Sequence, residues 1–137
     1  MLGTEATNMK ATSGPVYEKW GETARAGFQV VPDMLLKKMH LLDINPTEMT
    51  VLLNVLMHWW YREKKPFPRT TTIARRMGSK LRTVQNALAS LEEKKLIERE
   101  VGPNDATYVN PAPLVKKLEE FTKDDPEYLV RTQGPVT

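Results

Sequence analysis

Residues 70–91 read TTTIARRMGSKLRTVQNALASL. Ile73, Ala74 and Met77 fall at helical spacing with Arg75 and Arg76 between them, which predicts a short helix over 70–77 with its arginines outward. Gly78 supplies the residue that turns at φ > 0 without steric cost. Ser79 is a capping residue for a following helix, in which Leu81, Val84, Leu88 and Leu91 recur at intervals of three, four and three. Lys80, Arg82, Thr83, Gln85, Asn86 and Ala89 are left on the other faces. This second helix is expected over about 79–94.

The positive charge of the chain gathers at the same place. The 137 residues carry a formal net charge of +3. Residues 1–63 hold six basic and seven acidic side chains, and residues 92–137 hold seven basic and ten acidic. Residues 64–91 hold Lys64, Lys65, Arg69, Arg75, Arg76, Lys80 and Arg82 with no acid. A double helix, with a negative charge about every 1.7 Å of axis, meets most of its attraction there.

Upstream, Pro66 and Pro68 set an extended connection through Phe67. Before it, Asn45-Pro46-Thr47-Glu48 combines a cap, a first-turn proline and a glutamate at the third position, which starts a helix expected to reach about Glu63. Its apolar residues, Met49 to Trp60, occupy nearly every face, so it is the central core helix. The cluster Trp59-Trp60-Tyr61 could stack on unpaired bases, but at the end of so apolar a helix packing is favoured. Met34, Leu35, Met39 and Leu42 predict a first helix over roughly 33–42. Downstream, residues 96–100 and 106–109 read as strands around the turn residues Gly102-Pro103-Asn104-Asp105, which makes a hairpin. Pro111 and Pro113 open a last helix with the stripe Leu114, Val115, Leu118 and Phe121, and beyond Lys123 the chain is expected to fray.

Several function classes are excluded. There is no cysteine, hence no disulfide, thiolate metal site or cysteine nucleophile. Two histidines, His40 and His58, do not make a zinc site without unusual carboxylate spacing, so neither a metal nor any other cofactor is expected. Asp33, Asp43 and Glu48 near His40 sit close to helix starts, where acids are commonly structural. No nucleophile with a base and no phosphate-cradling glycine loop is present, and the chain is not expected to be an enzyme. Residues 1–13 lack the apolar core of a signal peptide, and no apolar stretch reaches membrane-spanning length. The expected location is the cytoplasm, associated with the nucleoid, with no membrane partner.

Short helix, glycine turn, polar-faced helix and hairpin predict a mainly α fold with a small β-hairpin, a winged helix-turn-helix. A helix of this kind fits the major groove while the preceding helix crosses the backbone. Arg82, Gln85 and Asn86 are the candidates for base readout, since Arg pairs with guanine and Gln or Asn with adenine through two bonds. Thr71, Arg75, Arg76, Lys80 and Thr83, with Arg99 and Asn104 of the hairpin, are placed for phosphates, which position the protein without specifying sequence.

The segments Phe28-Gln29-Val30-Val31-Pro32-Asp33, Pro66-Phe67-Pro68, Thr72-Ile73-Ala74, Met77-Gly78, Arg82-Thr83-Val84-Gln85, Leu91 and Leu96-Ile97 resemble, in order and spacing, the winged helix-turn-helix family of bacterial, plasmid and phage DNA-binding proteins. That family includes replication-initiator and replisome-organiser modules. The resemblance covers residues 28–110 and implies that the helix after Gly78 enters the major groove. Arg69 replaces a usual Ser, so the cap of the first motif helix is expected from Thr70 or Thr71. Lys80 replaces another Ser, which makes Ser79 the expected start of the second helix. Lys95 replaces a Gly, and a left-handed Lys there costs about 1 kcal/mol.

The expected organisation is a flexible arm (1–27), a DNA-binding domain (28–110), a helix on the core or at a dimer interface (111–123) and a tail (124–137). The leading expectation is a sequence-specific binder of double-stranded DNA acting as a transcriptional regulator. The alternatives are the recognition module of a plasmid or phage replication or partition system, and a winged helix used for protein contacts. A homodimer is a further expectation, since paired half-sites multiply specificity.

Overall fold

The computed structural model describes residues 14–59, 61–103 and 106–133. It divides into two compact units, Met1–Pro32 and Asp33–Thr137. In the first, helix α1 (Gly14–Trp20) runs into a 3-10 turn (Gly21–Ala26) against which it packs. The Glu22 carboxylate accepts from the Tyr17 hydroxyl at 2.6 Å and from the Arg25 guanidinium at 3.2 Å. Much of the expected arm is therefore helical, while residues 1–13 lie outside the described ones.

The second unit is mainly α with one antiparallel hairpin, the arrangement of a winged helix-turn-helix. Its helices are α2 (Asp33–Lys37), α3 (Pro46–Leu56), α4 (Thr70–Met77) and α5 (Leu81–Glu93), followed by β1 (Glu98–Val101), β2 (Thr107–Asn110), α6 (Ala112–Thr122) and α7 (Pro126–Gln133). The strands pair from Glu98 opposite Asn110 to Val101 opposite Thr107. Val109 N–H also donates to Pro66 C=O at 3.0 Å, which lays the Pro66-Phe67-Pro68 segment along the other side of β2. α5 packs on α3 and α4, and α6 packs on α2. Leu35, Leu52, Val55, Ile73, Val84, Leu91, Leu96, Ile97 and Val109 are the buried centre.

Several boundaries differ from the sequence expectation. α2 ends at Lys37 rather than Leu42 because the bonding gives way to i to i−3 turns at Met39, Leu41 and Asp43, and the chain then turns through Asp43 at φ 58°. That turn lets Ile44 N–H reach Met39 C=O and buries both Leu42 and Ile44. α3 ends at Leu56 rather than Glu63. Its bonding tightens to an i to i−3 pattern at His58 and Trp59, a 3-10 ending, and Tyr61 to Lys65 are all exposed, so no apolar face carries the helix on. Trp59 is half-buried past the helix end, as the packing alternative expects, and Trp60 lies outside the described residues.

β1 begins at Glu98 because Leu96 N–H is still engaged in closing α5, bonded to Leu91 C=O at 3.1 Å, and Leu96 and Ile97 turn into the core. Leu114 and Leu118 of α6 are also buried, whereas Val115 and Phe121 of the same stripe are half-buried. Instead of fraying, the chain after Lys123 forms α7. Asp125 accepts from Tyr128 N–H at its start, and Lys37 bridges Asp125 at 3.7 Å and Glu127 at 3.1 Å. Among the described residues no helix is long and apolar enough to cross a membrane.

The expected cap at Asn45 is present in full: its side chain accepts from Glu48 N–H at 2.8 Å, and Glu48 accepts from Asn45 N–H at 3.0 Å. What the local sequence does not show is that Glu48 is itself buried and carries an ion pair. Lys94, just past α5, donates to its two oxygens at 2.8 and 3.0 Å and also to Asp43 C=O. Burial pushes the Glu48 carboxyl up, but Lys94, the Ser90 side chain and the Asn45 backbone together outweigh it and hold the group below the usual carboxylate range. The pair ties the start of α3 to the end of α5.

Two predictions follow from these contacts. Removing one partner of a buried pair costs about 3–5 kcal/mol, and because a quarter of the Lys94 side chain is exposed, Lys94→Met should lose about 1–3 kcal/mol in urea unfolding at pH 7. A depressed carboxyl contributes stability above its unfolded pKa of about 4.3 and loses it as pH falls through the folded value. The gap between wild type and variant should therefore close below that pH. A gap unchanged at pH 3 contradicts the ion pair.

The second prediction concerns the two left-handed helix ends, Gly78 (φ 64°) and Lys95 (φ 61°). A Cβ at Gly78 would meet nothing within 4 Å, so Gly78→Ala should lose about 1 kcal/mol from backbone conformation alone. Lys95→Gly should gain up to about 1 kcal/mol. Denaturant midpoints moving in opposite directions check both.

Candidate nucleic-acid interface

The turn between α4 and α5 is built by backbone hydrogen bonds. Gly78 N–H donates to Arg75 C=O at 3.2 Å and Ser79 N–H donates to Ala74 C=O at 3.0 Å, the paired closure of a Schellman motif. This corrects the expected role of Ser79. It completes the end of α4 rather than capping α5, and its hydroxyl is buried without a partner among the described residues. α5 begins at Leu81, and Lys80 occupies its cap position in extended conformation with no side-chain capping bond.

From that start, Val84, Ala87, Leu88 and Leu91 face the core. Leu81, expected inward, is 39% exposed, because it lies at the helix start, one turn ahead of the buried row. Arg82, Gln85, Asn86 and Ala89 are all exposed, and their spacing of three, four and seven sets them on a single face. The three residues expected to read bases thus share one open surface. Thr83 is half-buried on the flank, with its N–H bonded to Lys80 C=O.

α4 starts in a similar way. Arg69 holds its cap position without a side-chain bond, so the expected cap from Thr70 or Thr71 is not formed. Neither α4 nor α5 has an acidic residue in its first turn. Each helix therefore begins with uncapped N–H groups beside a cation, where the helix dipole favours an anion.

Long-range partners divide the basic stretch. Lys65 pairs with Glu100 at 2.7 Å. Arg76 donates to Asn54 Oδ1 at 3.2 Å and lies against Met57 Sδ, which ties it to α3. Arg99 is held by Glu92, its Nε at 3.0 Å and a terminal nitrogen at 2.9 Å from Oε1. The Arg99 backbone N–H and guanidinium in turn keep the Glu92 carboxyl below its usual range. Arg69, Arg75, Lys80 and Arg82 are exposed and make no ion pair or side-chain hydrogen bond among the described residues. All four lie on or beside α4 and α5. Thr71 is exposed in the first turn of α4, and Asn104 lies outside the described residues.

The sequence also does not reveal how the hairpin base is packed. Phe67 stacks on Tyr108 with ring centroids 5.1 Å apart and planes 29° apart. A Cβ at Gly102 would collide with the Tyr108 ring, so the glycine read as a turn residue is needed for close approach. Phe67, Tyr108 and the start of α4 line one cleft of about 640 Å³.

No curated protein matches the chain. Residues 42–97, fewer than half of the chain but containing α3, α4, the Gly78 turn and α5, are similar to the family model described as a helix-turn-helix domain.

Proposed function

We propose that the chain is a sequence-specific binder of double-stranded DNA, acting as a transcriptional regulator, with α5 in the major groove. One observation carries this above the rest: two successive helices begin uncapped, without acids and beside unpaired cations. That arrangement works against the helix dipole unless an anion is bound. Phosphates of a duplex supply that anion at both helix starts.

Arg82, Gln85 and Asn86 then read base edges from the open face of α5. Thr71, Arg75, Lys80 and Thr83 meet phosphates. Arg76 and Arg99, anchored by Asn54 and Glu92, take the lesser part in backbone contact, and Asn104 is a further backbone contact expected from the sequence alone. This places most of the binding on the two motif helices rather than on the hairpin, whose β1 carries Glu98 and Glu100.

Selection from a random duplex pool, followed by mobility shifts at several salt concentrations, tests this. Arg82→Ala should relax preference at one base position by about 1–3 kcal/mol, whereas Arg75→Ala should weaken all duplexes alike and lower the salt slope by about 1. Absence of binding at low salt, or a uniform loss in Arg82→Ala, overturns the assignment.

The helix starts give a second, separate expectation. Lys80→Ser introduces a capping hydroxyl and removes a cation, so it should stabilise the fold by about 1 kcal/mol while weakening duplex binding. Thermal unfolding and a mobility shift on the same sample read the two opposite effects.

A further inference from the structure

The cleft between the start of α4 and the base of the hairpin has the size of a small-molecule site. Its volume of about 640 Å³ lies within the range of roughly 300–1,000 Å³ usual for such sites. One wall is aromatic: Tyr108 is held between Phe67 and Gly102, and Phe67 remains 45% exposed. A rigid, partly open ring of this kind accepts a planar aromatic group. Among the described residues of the lining, Arg69 is the only charged one. Its guanidinium makes no ion pair among the described residues, and Thr70, Thr71 and Thr107 line the same cleft. A guanidinium with adjacent hydroxyls suits a phosphate or carboxylate.

We propose that this cleft binds a small planar aromatic anion of nucleoside monophosphate size, its ring on Phe67 and its anionic group at Arg69 and the threonines. Because Thr71 and the hairpin border the cleft, an occupant would also exclude a DNA phosphate from the start of α4. The ligand is then an effector that lowers duplex affinity. This regulatory consequence rests on the proposed DNA binding, whereas occupation of the cleft does not.

Calorimetric titration of the full chain, without DNA, with AMP, adenosine and inorganic phosphate in separate arms tests the site. AMP should bind at least about tenfold more tightly than either part alone, and Phe67→Ala and Arg69→Gln should each weaken it by about tenfold. Arg69 is exposed, so Arg69→Gln should keep the wild-type unfolding midpoint and remains informative if loss of the Phe67 ring disturbs the hairpin. No AMP binding at millimolar concentration, phosphate binding as tightly as AMP, or unchanged affinity in Arg69→Gln overturns the site. AMP binding that leaves duplex affinity unchanged overturns the regulatory role alone. If the chain binds no duplex at all, the DNA assignment falls and the AMP titration still decides the cleft.

Discussion

Gly78 lies at φ 64° and ψ 32°, and the two hydrogen bonds that this conformation permits, from its own N–H and from that of Ser79, set the place where α4 stops and α5 starts. With residues 78–80 alone between them, the helices have little freedom of crossing angle or phase. The phase of α5 is what buries Val84, Ala87, Leu88 and Leu91 while opening Arg82, Gln85 and Asn86. The far end of α5 is fixed by Lys94 on Glu48, so the helix is tethered at both termini. A surface that reads base edges has to be held in this way, since slack in the support is lost from every contact.

The helix starts show a conflict between stability and use. Capping residues and first-turn acids stabilise helices, and the chain uses both at α3, through Asn45 and Glu48. At α4 and α5 it has Arg69 and Lys80 in the cap positions instead. α6 also begins without an acid or a bond from its cap residue, Pro111, but has no cation in the cap position; the cations there are what set α4 and α5 apart. The same division appears among the arginines. Arg76 and Arg99 are engaged in holding the domain together, and Arg75 and Arg82 are not.

Features set by neighbours along the chain were legible before the structure. The bounds of α4 follow from the spacing of Ile73, Ala74 and Met77 against Gly78, and the Asn45 box from four consecutive residues. α3 was expected too long because apolar residues through Trp59 give the same pattern whether they continue a helix or pack as a turn after it. Ser79 was read as a cap because a capping residue and a Schellman residue look alike in sequence. Leu81 was placed inward since spacing alone gives no information on where the supporting helices end. α7 was missed for a related reason: its apolar residues Tyr128, Leu129 and Val130 are consecutive rather than at helical spacing, and none of its residues is buried.

The candidate interface was legible in its location but not in its division of labour. The acid-free stretch coincides with α4 and α5, and the three residues expected to read bases share the open face of α5. Which cations are already engaged depends on Asn54, Glu92 and Glu100, brought near by folding, and no spacing rule reports such pairs. Glu48 illustrates the same limit. Its capping role is local, while its ion pair with Lys94 joins residues far apart in the chain.

The short sheet has a consequence for how the protein behaves in a crowded solution. A sheet with open edges invites further strands from other chains, and proteins blunt such edges with prolines and charges. Here the segment beside β2 is bracketed by Pro66 and Pro68, which have no N–H to offer another strand. On the opposite side β1 presents Glu98, Arg99 and Glu100. Both margins of the hairpin are thus poor templates for strand addition, and a two-stranded sheet small enough to be vulnerable is kept from growing into an aggregate.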